Sequence, residues 1–182
     1  MALVPARKQL PRFTDRLELG RSGLTVSPFC LGLTRDPDTF LAAYDAGINF
    51  FFLTADMHWP VYEPVRQGLV RLFAHRPSAR DDVVVGVVTY VAQPEFLELP
   101  FTETIEAVEG LGRVDVAIAG GAYSWDIRTR LAVFRAHCEQ GFAGMRAFGA
   151  SFHDRAAARQ AVEQRALDIA FIRYNPGSHR CA

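Results

Sequence analysis

Six apolar runs alternate with five stretches of helical periodicity along nearly the whole chain, and this rhythm constrains the fold more than any other feature. The runs are "FCLGL", "INFFFLTA", "DVVVGVVTYV", "VDVAIAGG", "MRAFGAS" and "DIAFIRYN". Between them lie "DPDTFLAAYDAG", "YEPVRQGLVRLFAHR", "FTETIEAVEGLG", "DIRTRLAVFRAHCEQG" and "HDRAAARQAVEQRA". The runs are continuously apolar rather than alternating, as in strands covered on both faces of a parallel sheet. Strand, helix, strand in strict succession makes an α/β protein. Ahead of this rhythm, "RLELGRSGLTVS" shows two short alternating runs around Arg21-Ser22-Gly23 and reads as a hairpin.

The punctuation agrees. Asp38 is expected to cap the first helix and Gly47 to end it, with Asp126 and Asp154 opening later ones. In the fourth helical stretch Leu131, Phe134 and Cys138 form the apolar stripe, and Arg128, Arg130 and Arg135 are expected to turn elsewhere. An open doubly wound sheet and part of an eight-stranded barrel both satisfy the pattern. "CLGLTRDPD", after the first run, has a single glycine where a dinucleotide fingerprint needs three, which disfavours the open sheet.

Twenty basic and twenty acidic side chains cancel, so no net charge recruits nucleic acid or an anionic membrane. Cys30, Cys138 and Cys181 lack the spacing of a zinc site or redox dithiol and read as buried or idle thiols. That usage fits a reducing cytoplasm. "MALVPARKQLPRF" has no apolar core of signal-peptide length, and no later segment has eighteen unbroken apolar residues. Residues 1–15 read as a lead-in and 16–182 as one domain.

"LGRSGLTVSPFCLG", "AYDAGINFF" with "TAD", "LGRVDVAIA", "FGAS" and "LDIAFIRYNP" resemble, in order, the landmarks of the aldo-keto reductases, from Leu19 to Pro176. The resemblance implies a (β/α)₈ barrel of TIM type, with an early hairpin plugging its bottom, NADPH held at the C-terminal mouth, and carbonyl reduction. Only about six of the eight strands are present, so the chain reads as a fragment of a longer protein or as a self-associating one, pairing through its open barrel edges. In the family a tyrosine protonates the substrate oxygen, tuned by a lysine and an aspartate, with a histidine nearby. Here the aspartate's position holds Leu53, or Phe52 when counted from Gly47. The tyrosine's holds His58, the lysine's holds Tyr90, and the histidine's falls at Gly120-Gly121. Of the groups expected on the nicotinamide amide, Ser151 is kept, while Phe152 replaces an asparagine and Phe171 a glutamine.

"FFFLTADMHWP", residues 50–60, therefore joins a buried strand to a polar cluster at the mouth. Asp56, His58, Tyr90, Tyr123, His153 and Tyr174 all follow or end strands on that side. His58 can act as a general acid near neutral pH, with Asp56 setting its tautomer. Asp56, His58 and His153 instead have the composition of a facial metal triad, suited to a lyase or hydrolase. The plainer reading makes these hydrogen-bonded loop residues, Tyr90 and Tyr174 mouth-lining aromatics, and Trp59 a packing lid. His75 reads as a helix-end residue, His137 as surface or packing, and Glu63 as a first-turn charge. Three functions follow: an NADP(H)-dependent oxidoreductase with a rebuilt site around His58, Asp56 and Tyr90 that takes a small-molecule substrate; a catalytically inactive binding or regulatory barrel, for which channel-associated family members are a precedent; and the metal-dependent enzyme.

Overall fold

The computed structural model describes residues 10–56, 59–122 and 127–172. Strands β1 (Leu17–Glu18) and β2 (Thr25–Val26) pair antiparallel as the expected hairpin. Six parallel strands follow in chain order: β3 (Cys30–Leu31), β4 (Phe50–Thr54), β5 (Val84–Thr89), β6 (Val116–Ala122), β7 (Ala147–Phe152) and β8 (Ile169–Ile172). Helices α1 (Thr39–Asp45), α2 (Glu63–His75), α3 (Ala79–Asp82), α4 (Leu99–Ala107), α5 (Ile127–Gln140) and α6 (Arg155–Glu163) fill the crossovers.

Successive side chains of a strand face opposite sides, and here both sides are apolar. Phe51, Leu53, Val85, Val87, Ala117 and Phe148 pack outward against the helices. Phe50, Val84, Val88, Val116 and Ile118 point the other way, into a second core. The sheet is curled around that second core. In a flat sheet β4 and β8 would stand four strand spacings, about 19 Å, apart. The rings of Phe52 on β4 and Phe171 on β8 have centroids 6.4 Å apart. Leu24 and Val26 of the hairpin join the inner core from below, so the hairpin closes the N-terminal end of the lumen.

Beside the plug, the strands' N-terminal ends are tied by one fully buried carboxylate. Asp115 meets Arg80 at 2.8 Å, Arg113 at 3.0 Å and Arg146 at 3.6 Å, and accepts the Val85 N–H at 2.9 Å. Some expectations need correcting. Asp38 stands at the start of α1 with a helical backbone and no capping hydrogen bond, because its carboxylate pairs with Arg71 instead. Asp154 does cap α6, accepting from the Ala156 and Ala157 N–H groups; Asp126 lies outside the described residues. His137 is buried against the Phe142 ring, with centroids 4.6 Å apart. Among the described residues no helix is long and apolar enough to cross a membrane.

Candidate functional site

The C-terminal ends of β4, β5 and β6 meet at the mouth in one polar network. Asp56, two residues past β4, accepts a hydrogen bond from the Thr89 hydroxyl and, at 2.7 Å, from the Tyr90 N–H. Arg130, in the first turn of α5, donates from Nη2 to the Thr89 carbonyl at 2.7 Å and from Nη1 to the Gly120 carbonyl at 2.9 Å. It is only 8% exposed, which contradicts the reading that turned it outward with Arg128 and Arg135. Helical periodicity marks apolar faces, and the strand-end carbonyls that draw a guanidinium inward leave no trace in that pattern. Burial pulls the Arg130 pKa down, and the nearby charge of Asp56 pushes it back up.

The two glycines at the end of β6 serve different needs. Gly121 takes φ +66°, a left-handed conformation costly for other residues, where the β6–β7 register shifts through an irregularity. Gly120 makes room: a Cβ there would stand 2.8 Å from Cε1 of the Tyr90 ring. Tyr90, where the resemblance implies a lysine, thus fills the space beside Gly120, where it implies a histidine.

Strand alternation decides between Leu53 and Phe52. Leu53 is fully buried under the helices, whereas Phe52 packs with the luminal core. Of these two residues Phe52 is the luminal one, and its ring lies 6.4 Å from both Tyr62 and Phe171. Tyr62, from the turn preceding α2, was not anticipated by the sequence reading. Its phenol pKa is raised first by burial, then by the Tyr90 and Cys30 groups beside it. Cys30 lies on the open edge strand and is exposed as a residue, yet burial of its thiol pushes its pKa up to about 12.

On β7, Ala147 faces the lumen and Phe148, Ala150 and Phe152 face the helices, which puts Ser151 on the luminal side. Its hydroxyl is half-buried and has no hydrogen-bond partner among the described residues. His153 is exposed between β7 and α6. His58, Tyr123 and Tyr174 lie outside the described residues, so the metal triad is described only for Asp56 and His153. Among the described residues no three side chains come together as a metal site.

No protein-family model matches the chain, and no curated protein matches it by sequence. Solved structures do. An aldo-keto reductase from Bombyx mori in complex with NADP superposes with a TM-score of 0.73 at 16% identity, over 90% of this chain and 59% of that one. A thermostable aldo-keto reductase bound to the inhibitor epalrestat gives 0.69 at 16% identity, over 91% and 65%. The fold is that of the aldo-keto reductases. A reductase from Brucella melitensis gives 0.66 at 14% identity, over 88% and 63%. At these identities the likeness is one of fold, and the chain spans less than two thirds of the length of each of these structures.

On an aldo-keto reductase fold the residues can be tested against a nicotinamide. Ser151 offers one free luminal hydroxyl, Phe152 is turned into the helix-side core, and Phe171 offers a ring in place of an amide. Of the three amide contacts that the resemblance implies, only the Ser151 hydroxyl remains, and the luminal rings of Phe52, Tyr62 and Phe171 pack on one another beside it.

Proposed function

We propose that this chain is an aldo-keto-reductase-like oxidoreductase that works with NADP(H) through a site no longer built on the family's aspartate, tyrosine, lysine and histidine. The observation that carries the reading is the unclaimed luminal hydroxyl of Ser151, on a fold shared with a reductase solved in complex with NADP. Bound NADPH would supply hydride, which leaves the chain to hold the substrate oxygen and deliver a proton. Tyr90 is the phenol of this mouth, and His58, outside the described residues, is the second donor that the sequence offers. A phenol's ordinary pKa near 10 makes it a weak acid at neutral pH, so it donates well only where its anion is stabilised. Arg130 is a buried cation at the same end. The rings around Phe52 favour a small apolar carbonyl substrate.

Thermal unfolding with and without NADPH, followed by turnover on aromatic and aliphatic aldehydes, tests this. A ligand that binds only the folded chain adds about 2.7 kcal/mol at a hundredfold excess over its Kd. Ser151→Ala is expected to weaken NADPH binding roughly tenfold, the loss of one net hydrogen bond. A cooperative melt that NADPH leaves unmoved would sink the reading. The contact between Phe52 and Phe171 favours a second one, a catalytically inactive barrel that binds an apolar ligand over these rings. Ligand-induced stabilisation without turnover of any carbonyl separates the two.

A further inference from the structure

Arg130 is a buried charge at the mouth, 8% exposed. Its two terminal nitrogens do different jobs on one neighbour. The Thr89 carbonyl and the Tyr90 N–H are the two ends of a single peptide unit. Arg130 holds the oxygen at 2.7 Å and Asp56 the N–H at 2.7 Å. A cation at the negative end of a peptide dipole and an anion at its positive end both favour one orientation of that plane. That plane sets the direction in which Tyr90 leaves the backbone. The other terminal nitrogen holds the Gly120 carbonyl, and Gly120 is the surface beside which the Tyr90 ring lies. One guanidinium thus fixes both the peptide that carries the ring and the glycine that seats it.

We propose that Arg130 is a positioning residue for Tyr90, aiming the phenol into the space beside the position where the family keeps its histidine. The inference rests on the reading of Tyr90 as the phenol of the rebuilt site. A lysine at 130 can keep the charge but cannot span two carbonyls in the fork geometry of arginine. A role limited to neutralising Asp56 would accept any cation.

The test uses the full chain labelled with 3-fluorotyrosine and no nucleotide, so it stands apart from whether NADPH binds. The chain has five tyrosines. The Tyr90 ¹⁹F resonance is assigned with Tyr90→Phe, and Tyr44 of α1, whose charged neighbours Asp82 and Arg76 lie away from the mouth, is the internal control. In Arg130→Ala the Tyr90 resonance is expected to lose its native position while that of Tyr44 stays. Millimolar ethylguanidinium should restore it, and ethylammonium should not. Should Arg130→Ala fail to fold, Arg130→Lys decides, with the Tyr90 resonance displaced although a cation remains. An unmoved Tyr90 resonance, a shift shared equally by Tyr44, or equal rescue by both cations would overturn the proposal. A chain that passes this test yet ignores NADPH keeps the positioning role and loses the oxidoreductase reading.

Discussion

Both ends of the barrel set a carboxylate among strand ends, Asp115 at the bottom and Asp56 at the mouth, and they surround the two differently. At the bottom Asp115 gathers three arginines and a strand N–H, with no part of it exposed. At the mouth Asp56 has Thr89 and Tyr90 as donors, and its counter-charge, Arg130, holds the other end of the peptide between those two residues. The bottom network locks strands to one another directly. The mouth network runs through the backbone of a residue whose side chain faces the lumen. Charge at the bottom therefore serves stability, while charge at the mouth serves the placement of a side chain.

Removing each carboxylate should expose this difference, and the bottom should suffer more. Asp115→Ala strands Arg80, which is 9% exposed, without its partner, and breaking a buried ion pair costs about 3–5 kcal/mol. Against a typical total of roughly 5–15 kcal/mol, that brings the chain near unfolding. Asp56→Ala takes this acceptor from the Tyr90 N–H and the Thr89 hydroxyl; Tyr90 is half-buried, so water can replace the N–H's partner and the remaining loss is about 1–3 kcal/mol. Urea midpoints of the two variants check the order. A larger loss for Asp56→Ala would show the mouth to be the structural end.

Neighbouring residues of β4 sharpen the comparison at a smaller scale. Leu53→Ala opens a cavity beneath the helices and should cost about 2–5 kcal/mol, without changing what the mouth binds. Phe52→Leu keeps an apolar side chain at a half-buried position of the lumen and should cost less than Leu53→Ala. It removes a ring from between Tyr62 and Phe171, so apolar ligands should bind more weakly. Denaturant unfolding read beside ligand titration separates the two. If Leu53→Ala alters binding and Phe52→Leu does not, the facing assigned to this strand is reversed.

What could be read in the sequence divides along the same line. The strands, the helices and the hairpin are legible in the sequence because strand burial and helix periodicity are local signals, whereas the barrel and its plugged bottom come from the resemblance to the aldo-keto reductases. The mouth is legible in the sequence as a set of losses and as a row of polar residues at strand ends, without the contacts among them. Tyr90 and Gly120 could each be seen as a departure from the family, but their mutual fit depends on two strands brought side by side. The sequence pattern turns Arg130 outward because the carbonyls that draw it in, of Thr89 and Gly120, belong to other elements. The choice between Leu53 and Phe52 needed the pleat, which the extra residue in "NFFFLTAD" obscures. His58, central to the sequence reading, lies outside the described residues.

The smallest expected effect is chemical and concerns how tightly the mouth is packed beside the open edge. Thiolate is the reactive form of cysteine, so a pKa raised by burial slows alkylation. With the Cys30 pKa at about 12 rather than 9.0, the thiolate fraction near pH 8 falls roughly a thousandfold. Because the shift is upward, the rate should keep rising about tenfold per pH unit beyond 9, where an unfolded thiol levels off, and plateau only near the folded pKa. Cys138, raised to about 11 by burial and then by Asp168 and Glu139, should level off earlier. Iodoacetamide rates in native buffer and in urea, resolved by peptide mass with a Cys30→Ser control, measure both. The same sign bears on folding. A group whose pKa is higher folded than unfolded stabilises the fold below pH 9 and loses that contribution progressively toward pH 12. Rapid alkylation of Cys30 at pH 8 in the folded chain would mean that β3 stands away from Tyr62. The lumen would then be open at the edge, and the aromatic mouth would have no wall there.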